Sequence, residues 1–220
     1  VTDPTQAPKV LQVVAPSGTV NSAATAVDLS GKRYLTGTFR GQASFDGITL
    51  QAQDRDAYLT CREANGSVRW VKRLGGLGRD DAADVAVAPD GSIYLTGSFW
   101  GHVETDGLSL NSAGGTDAFL LKISPDGKTQ WARSAGGPGD DAGQSVVLAS
   151  DGSLRWAGDI KQDASLHGSP IASAADGNIF LSKLSPDGNV TWTQTAGGGK
   201  LDRVTDLATN PKTGDVYLAG

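Results

Sequence analysis

Gly91-Ser92-Ile93-Tyr94-Leu95-Thr96-Gly97-Ser98-Phe99 closely restates Gly31-Lys32-Arg33-Tyr34-Leu35-Thr36-Gly37-Thr38-Phe39. Outward from this pair, independent markers keep one step. Trp70, Trp131 and Trp192 are 61 residues apart, as are Gly75-Gly76, Gly136-Gly137 and Gly197-Gly198, and Tyr58, Phe119 and Phe180. A period of this size means stacked supersecondary units, none of which buries its apolar faces alone. The units fall at about 21–74, 75–135 and 136–196, with a partial one over 197–220, so that 220 residues hold about 3.6 repeats. Residues 1–8, with Pro4 and Pro8, read as a linker, and residues 9–220 as repeat.

Each unit holds four strand-like runs. In the second unit they are Ala83 to Ala88, Ser92 to Phe99, Ala118 to Ile123 and Lys128 to Arg133. Tight turns join them. Pro89-Asp90-Gly91 links the first two runs, and Asn65-Gly66, Asp126-Gly127 and Asp187-Gly188 link the last two. Asp46-Gly47, Asp106-Gly107 and His167-Gly168 mark a further turn between runs two and three. Glycine takes positive φ there without a Cβ penalty. The recurring Gly37, Gly97, Gly158 and Gly220 inside the second run predict a bulge or a close backbone approach. Each unit is thus a four-stranded antiparallel meander.

The first run is built of small residues, Ala82, Ala83, Ala86 and Ala88, while Ile93 and Leu95 alternate with Tyr94 on the second. Small inside and large outside fits wedge-shaped sheets packed face to face about an axis, with both faces buried. The expected fold class is all-β, a β-propeller or part of one, built from four-stranded antiparallel blades. No Trp-Asp recurs at strand ends, and the Gly pair follows the Trp strand, which separates the pattern from the WD and kelch types.

The chain resembles the seven-bladed bacterial β-propeller (SBBP-type) repeats of secreted and cell-surface proteins. The resemblance rests on Gly91 to Phe99, Asp117-Ala118-Phe119-Leu120-Leu121-Lys122, Asp126-Gly127, Trp131, Gly136-Gly137 and Asp141. It implies a structural motif without a known active site and a secreted or cell-envelope location in a bacterium. The third unit departs from it, with Arg155-Trp156-Ala157-Gly158 in place of Tyr-Leu-Thr-Gly and Asp159-Ile160 at the strand end.

Lys9 to Val14 aligns with a fourth strand and Asp215 to Gly220 with a second strand. Three closures follow from that alignment. The chain is part of a longer propeller, two copies pair into about seven blades, or it closes as four blades with Lys9 to Val14 completing the last.

Composition sets bounds. Thirty glycines suit many short elements, and a net charge of −5 offers no basic field for nucleic acid. No apolar run of about 18 residues spans a membrane. The single cysteine, Cys61, makes no internal disulfide and stands where later units carry Lys122 and Lys183.

Candidate chemistry is sparse. Asp80, Asp141 and Asp202 recur after the Gly-rich loop. They read either as acceptors for turn backbone or as metal candidates, a carboxylate ring for Ca²⁺. No other cofactor is expected. Asp54 and Asp56, flanking Arg55, read as a solvated loop. His102 and His167 read as surface residues between runs two and three. Trp70, Trp131 and Trp192 read as packing residues, whereas Trp100 and Trp156 break the repeat and, with His102, are the candidate binding residues. An exposed aromatic there stacks on a sugar ring or anchors a partner. The segments that differ between units, Gln51 to Asp56, Asn111 to Thr116 and Gln162 to Ala175, are the expected recognition loops.

No catalytic residues emerge. The expected function is a non-catalytic extracellular or cell-envelope module binding protein or glycan, with remaining blades from the same or another chain as further partners. One alternative is a structural spacer or assembly unit of a surface protein. Another is part of a propeller enzyme, quinone-dependent dehydrogenase-like or lyase-like.

Overall fold

The structure, a computed structural model, describes residues 17–172, 177–198 and 202–220. The described chain is all-β, without a helix. The expected closing strand at Lys9 to Val14 and the linker lie outside the described residues.

The first unit is an antiparallel sheet of β1 (Ser17–Val27), β2 (Arg33–Phe45), β3 (Ile48–Arg62) and β4 (Val68–Leu74), in that order. The second repeats it with β5 (Asp81–Val87), β6 (Ile93–Thr105), β7 (Leu108–Ile123) and β8 (Thr129–Gly136). In the third, β9 (Ala142–Leu148) and β10 (Leu154–Ile160) are followed by the short hairpin β11 (Ser165–Leu166) and β12 (Ser169–Pro170). Then come β13 (Asn178–Leu184) and β14 (Val190–Ala196), giving the order β14-β13-β10-β9. β15 (Asp206–Thr209) and β16 (Val216–Ala219) pair as a final hairpin.

The close approach expected at the recurrent glycine is present. A Cβ on Gly97 would fall on the Asp81 carbonyl oxygen, and one on Gly37 or Gly158 would fall on that of Asn21 or Ala142. Opposite each glycine the register slips by one residue, at Ser22/Ala24 in β1 and Ala82/Asp84 in β5. The first strand therefore bulges against a glycine on the second.

β2 and β6 run past the sheet body, bend, and continue into two-residue turns. The bends fall at Gly41 (φ 61°) and Gly101 (φ 77°), where register shifts interrupt the pairing. Gln162 occupies the corresponding place in the third unit. There the left-handed residue is Asp163 (φ 58°), and β10 ends at Ile160. At the tips, Asp46-Gly47, Asp106-Gly107 and His167-Gly168 all have positive φ at both residues, the twist that suits a two-residue hairpin.

Those tips matter for packing. Val103 and Leu110 join Leu59, Cys61 and Leu74 of the first unit and Leu95, Phe99 and Phe119 of the second in one buried cluster. Leu166 and Ala164 do the same between the second and third units, with Tyr94, Leu120, Trp156 and Phe180. β11 also pairs with β8, Leu166 opposite Ala135, so the third unit adds a strand to the sheet of the second. Ala43 and Phe45 cover Phe39 and Tyr58 on the far face of the first unit, with Phe45 and Tyr58 ring centroids 5.0 Å apart. Both faces of β6 are thus buried, Leu95 facing the first unit and Tyr94 the third.

Successive first strands are neighbours, β5 contacting both β1 and β9, and β9 contacting β15. Asp84 of β5 ties this row, its Oδ2 accepting from Ser145 Oγ and Val146 N, each at 2.9 Å. At the outer edge Trp70 Nε1 donates to Pro125 O, and Trp131 Nε1 to Pro186 O, both at 3.1 Å. These tryptophans pin the next unit's turn, as their regular spacing led us to expect.

Gly97→Ala places a methyl on backbone rather than on a movable side chain. It should destabilise the chain by about 3 kcal/mol, read as a lower urea midpoint, whereas Gly47→Ala, which meets nothing within 4 Å, should cost less.

Candidate functional site

Three backbone contacts position the boundary between the first two units. Asp80 N donates to Arg55 O at 2.7 Å, Gly76 N donates to Asp80 Oδ2 at 2.9 Å, and Trp100 N donates to Asp80 Oδ1 at 3.3 Å. The same clip recurs one unit on. Asp141 N donates to Thr116 O at 2.6 Å, and Asp141 accepts from Gly137 N (2.8 Å) and Lys161 N (2.6 Å). Asp202 accepts from Gly198 N at 2.8 Å. The recurrent aspartates are therefore acceptors for turn backbone. Both carboxylate oxygens of Asp80 and of Asp141 are engaged, so Ca²⁺ at either would have to displace main-chain donors. Among the described residues no three His, Cys, Asp or Glu side chains converge on a metal-sized site. Burial pushes Asp80 up to about 6, against the pull of the Gly76 and Trp100 N–H groups.

The acid pair Asp80 and Asp81 does not act as one cluster. Asp81 pairs with Arg55, and Asp84 turns toward the third unit.

Between the Gly-rich loop and the bend of β6 lies a groove of about 490 Å³. Gln53 and Arg73 of the first unit, Gly75 to Gly78, and Trp100, Gly101, His102 and Glu104 of β6 line it. Trp100 is 52% exposed and Leu77 86% exposed, so two large apolar side chains stand at an open cleft whose lining is mostly apolar. Gly78 packs against the Trp100 ring edge at Cε3, and His102 Nδ1 lies 2.8 Å from Asn111 Oδ1. Trp100 and His102, both candidates from the sequence, line this one groove.

Trp156 requires correction as a binding residue. It is fully buried, its Nε1 donates to Thr96 Oγ1 at 2.7 Å, and it packs edge-on to Phe180 at 4.9 Å. It stands in the register of Leu95, which points into the preceding unit, and that alignment was the available signal. His167 lies at an exposed hairpin tip in another unit, its N–H donating to Ser134 O. Cys61 is buried too, and burial raises its thiol pKa, the opposite of an activated thiol. Gln51 to Asp56 and Asn111 to Thr116 are not loops but parts of β3 and β7. Residues 173–175 of the third expected loop lie outside the described set.

Asp56 is the second correction. It is wholly buried rather than solvated, and it pairs with Arg73 Nε. Asp117 and Asn178 take its place in the next two units, and Ser134 and Thr195 take the place of Arg73. The three units thus present an ion pair, an acid without a cation, and a neutral amide at one position. Asp117 receives one backbone donor, Ala113 N at 3.2 Å, while its Oδ1 is buried without a hydrogen-bond donor. Burial, helped by the charge of Asp141, pushes Asp117 up to about 7. The signal for this group was the 61-residue recurrence of Asp56-Ala57-Tyr58, Asp117-Ala118-Phe119 and Asn178-Ile179-Phe180.

No family model matches the chain. It is similar to the regulatory protein FlaEY of Caulobacter vibrioides, 27% identical over 179 residues, which covers 77% of this chain and 18% of that protein. It is also similar to a xyloglucanase of Hypocrea jecorina, 28% identical over 173 residues, 74% of this chain and 20% of that enzyme. The chain spans about a fifth of the length of these curated relatives.

An acid held above its ordinary 3.8 keeps its proton in the folded state after the unfolded chain has lost it. The contribution of Asp117 to stability therefore falls as pH rises from about 4 to about 7 and changes no further above that. Asp117→Asn, which copies the third unit, should raise Tm at pH 8 by about 2–4 °C, roughly 1 kcal/mol for a chain of this size. That gain should shrink to nothing as the melts are repeated toward pH 4.

Proposed function

We propose that this chain is a non-catalytic recognition module of the β-propeller class, from a secreted or cell-envelope protein, whose ligand seats in the Trp100 groove. The propeller reading draws on the row of neighbouring first strands, the burial of both faces of β6, and the repeat resemblance. The observation that carries the function is the exposed Trp100 above a 490 Å³ cleft, within the ~300–1,000 Å³ range of small-ligand sites. Its counterparts in the neighbouring units are the cations Arg40 and Lys161, and the equivalent hollow at the next boundary, lined by Pro138, Gly139 and Lys161 to Asp163, is smaller, about 310 Å³, and has no aromatic side chain. Two titratable groups beside it are spent on structure, Asp80 on backbone and Arg73 on Asp56, while His102 and Glu104 line the groove.

Purified bacterial envelopes should co-sediment with the chain, and Trp100→Ala should weaken that association about tenfold, 1.4 kcal/mol on the usual scale, with Tm changed by no more than a few degrees. Undiminished association of Trp100→Ala would remove the groove from the account. Release of reducing ends from polysaccharide by the chain would replace the module with an enzyme.

A further inference from the structure

We infer that the Trp100 groove takes a neutral hexopyranosyl oligosaccharide, a conclusion that rests on the recognition reading above and names its ligand. Most of the lining is apolar, which alone would suit many ligands, so its few polar side chains set the choice. Arg73, Gln53, His102 and Glu104 line it together. They combine donors, acceptors and groups that are both, in planar side chains. That mixture matches a row of hydroxyls, each of which both donates and accepts. A bare cation would face the Arg73 guanidinium, and a bare anion the Glu104 carboxylate. Arg73 is already neutralised by Asp56, which leaves Glu104 as an acceptor for ligand hydroxyls.

The aromatic completes the match. A pyranose ring with equatorial hydroxyls presents a face of C–H bonds, slightly positive, to the negative face of an indole. Trp100 is held for that purpose from two sides. Its main-chain N–H is bonded to Asp80, and its ring edge rests on Gly78, where a Cβ would collide with Cε3. A main chain fixed before the ligand arrives lowers the ordering cost of binding. Leu77, on the same glycine loop, extends the apolar flank. The cleft has room for more than one sugar ring, so an internal stretch of a chain is the expected guest rather than a single terminal sugar.

Calorimetric titration of the whole chain with cellohexaose, xylohexaose and mannohexaose tests this. At least one should bind saturably. Trp100→Ala should weaken it about tenfold or more, Trp100→Phe should recover part of the loss, and Tyr217→Ala, an exposed aromatic on β16, should leave it unchanged. Affinity should not fall when salt is raised from about 0.05 M to about 0.5 M, because no net charge is neutralised. Failure of all three hexamers to bind overturns the glycan assignment, as does binding that Trp100→Ala leaves intact. If envelopes still bind in a Trp100-dependent manner while the hexamers do not, the recognition reading stands and the ligand is another class. A salt-sensitive, Trp100-dependent affinity for oligolysine in place of the hexamers would identify that class as a basic protein segment.

Discussion

Each sheet in this chain must hide two apolar faces, and that requirement organises the rest. Leu95 and Tyr94 are adjacent on β6 and point into different buried clusters, one shared with the first unit and one with the third. A sheet loaded in this way is stable only between neighbours, as in other architectures whose strands are covered on both sides. The small first strands let successive units approach, and Asp84 fastens β5 to β9 where they meet. At the outer edge the hairpin tips fill what the sheets leave open, with Val103 and Leu110 in one gap and Leu166 in the next. The glycines at Gly37, Gly97 and Gly158 follow from the same constraint, because the bulged first strand lies directly over them.

Repetition also shows which contacts tolerate replacement. The Asp80 clip is kept in the next unit by Asp141, with the same two backbone donors. The buried acid beside the Gly pair is not kept. Asp56 has Arg73, Asp117 has Ser134 opposite its neighbour, and Asn178 has no charge to neutralise. Loss of the cation leaves a buried carboxyl that is cheaper to protonate than to ionise, and an amide avoids the conflict. Asp117 therefore carries a stability cost near neutral pH that the other two units lack.

The proposed recognition site belongs to the same logic of variation. The position of Trp100 is exposed or half-exposed in every unit, occupied by Arg40, Trp100 and Lys161. It sits beside the loop that clips one unit to the next, so its backbone is rigid while its side chain is free to change. Such a place can acquire binding without disturbing the fold.

Much of the architecture was legible because periodicity is a local property of the chain. Trp70 and Trp131 as packing residues, the Asp-Gly turns and the close approach at Gly97 all follow from residue type at a fixed step. What the order of residues could not reveal was which side of each strand a neighbour would cover. Trp156 interrupts the repeat as Trp100 does, yet one is enclosed against Thr96 and Phe180 and the other faces solvent. Asp56 read as loop chemistry, yet the fold encloses it against Arg73 and Gly75. The sequence alone determined the repeat, its turns and the body of each sheet. Only the tertiary structure decided exposure, because burial depends on residues about sixty positions away that meet a side chain after the units have packed.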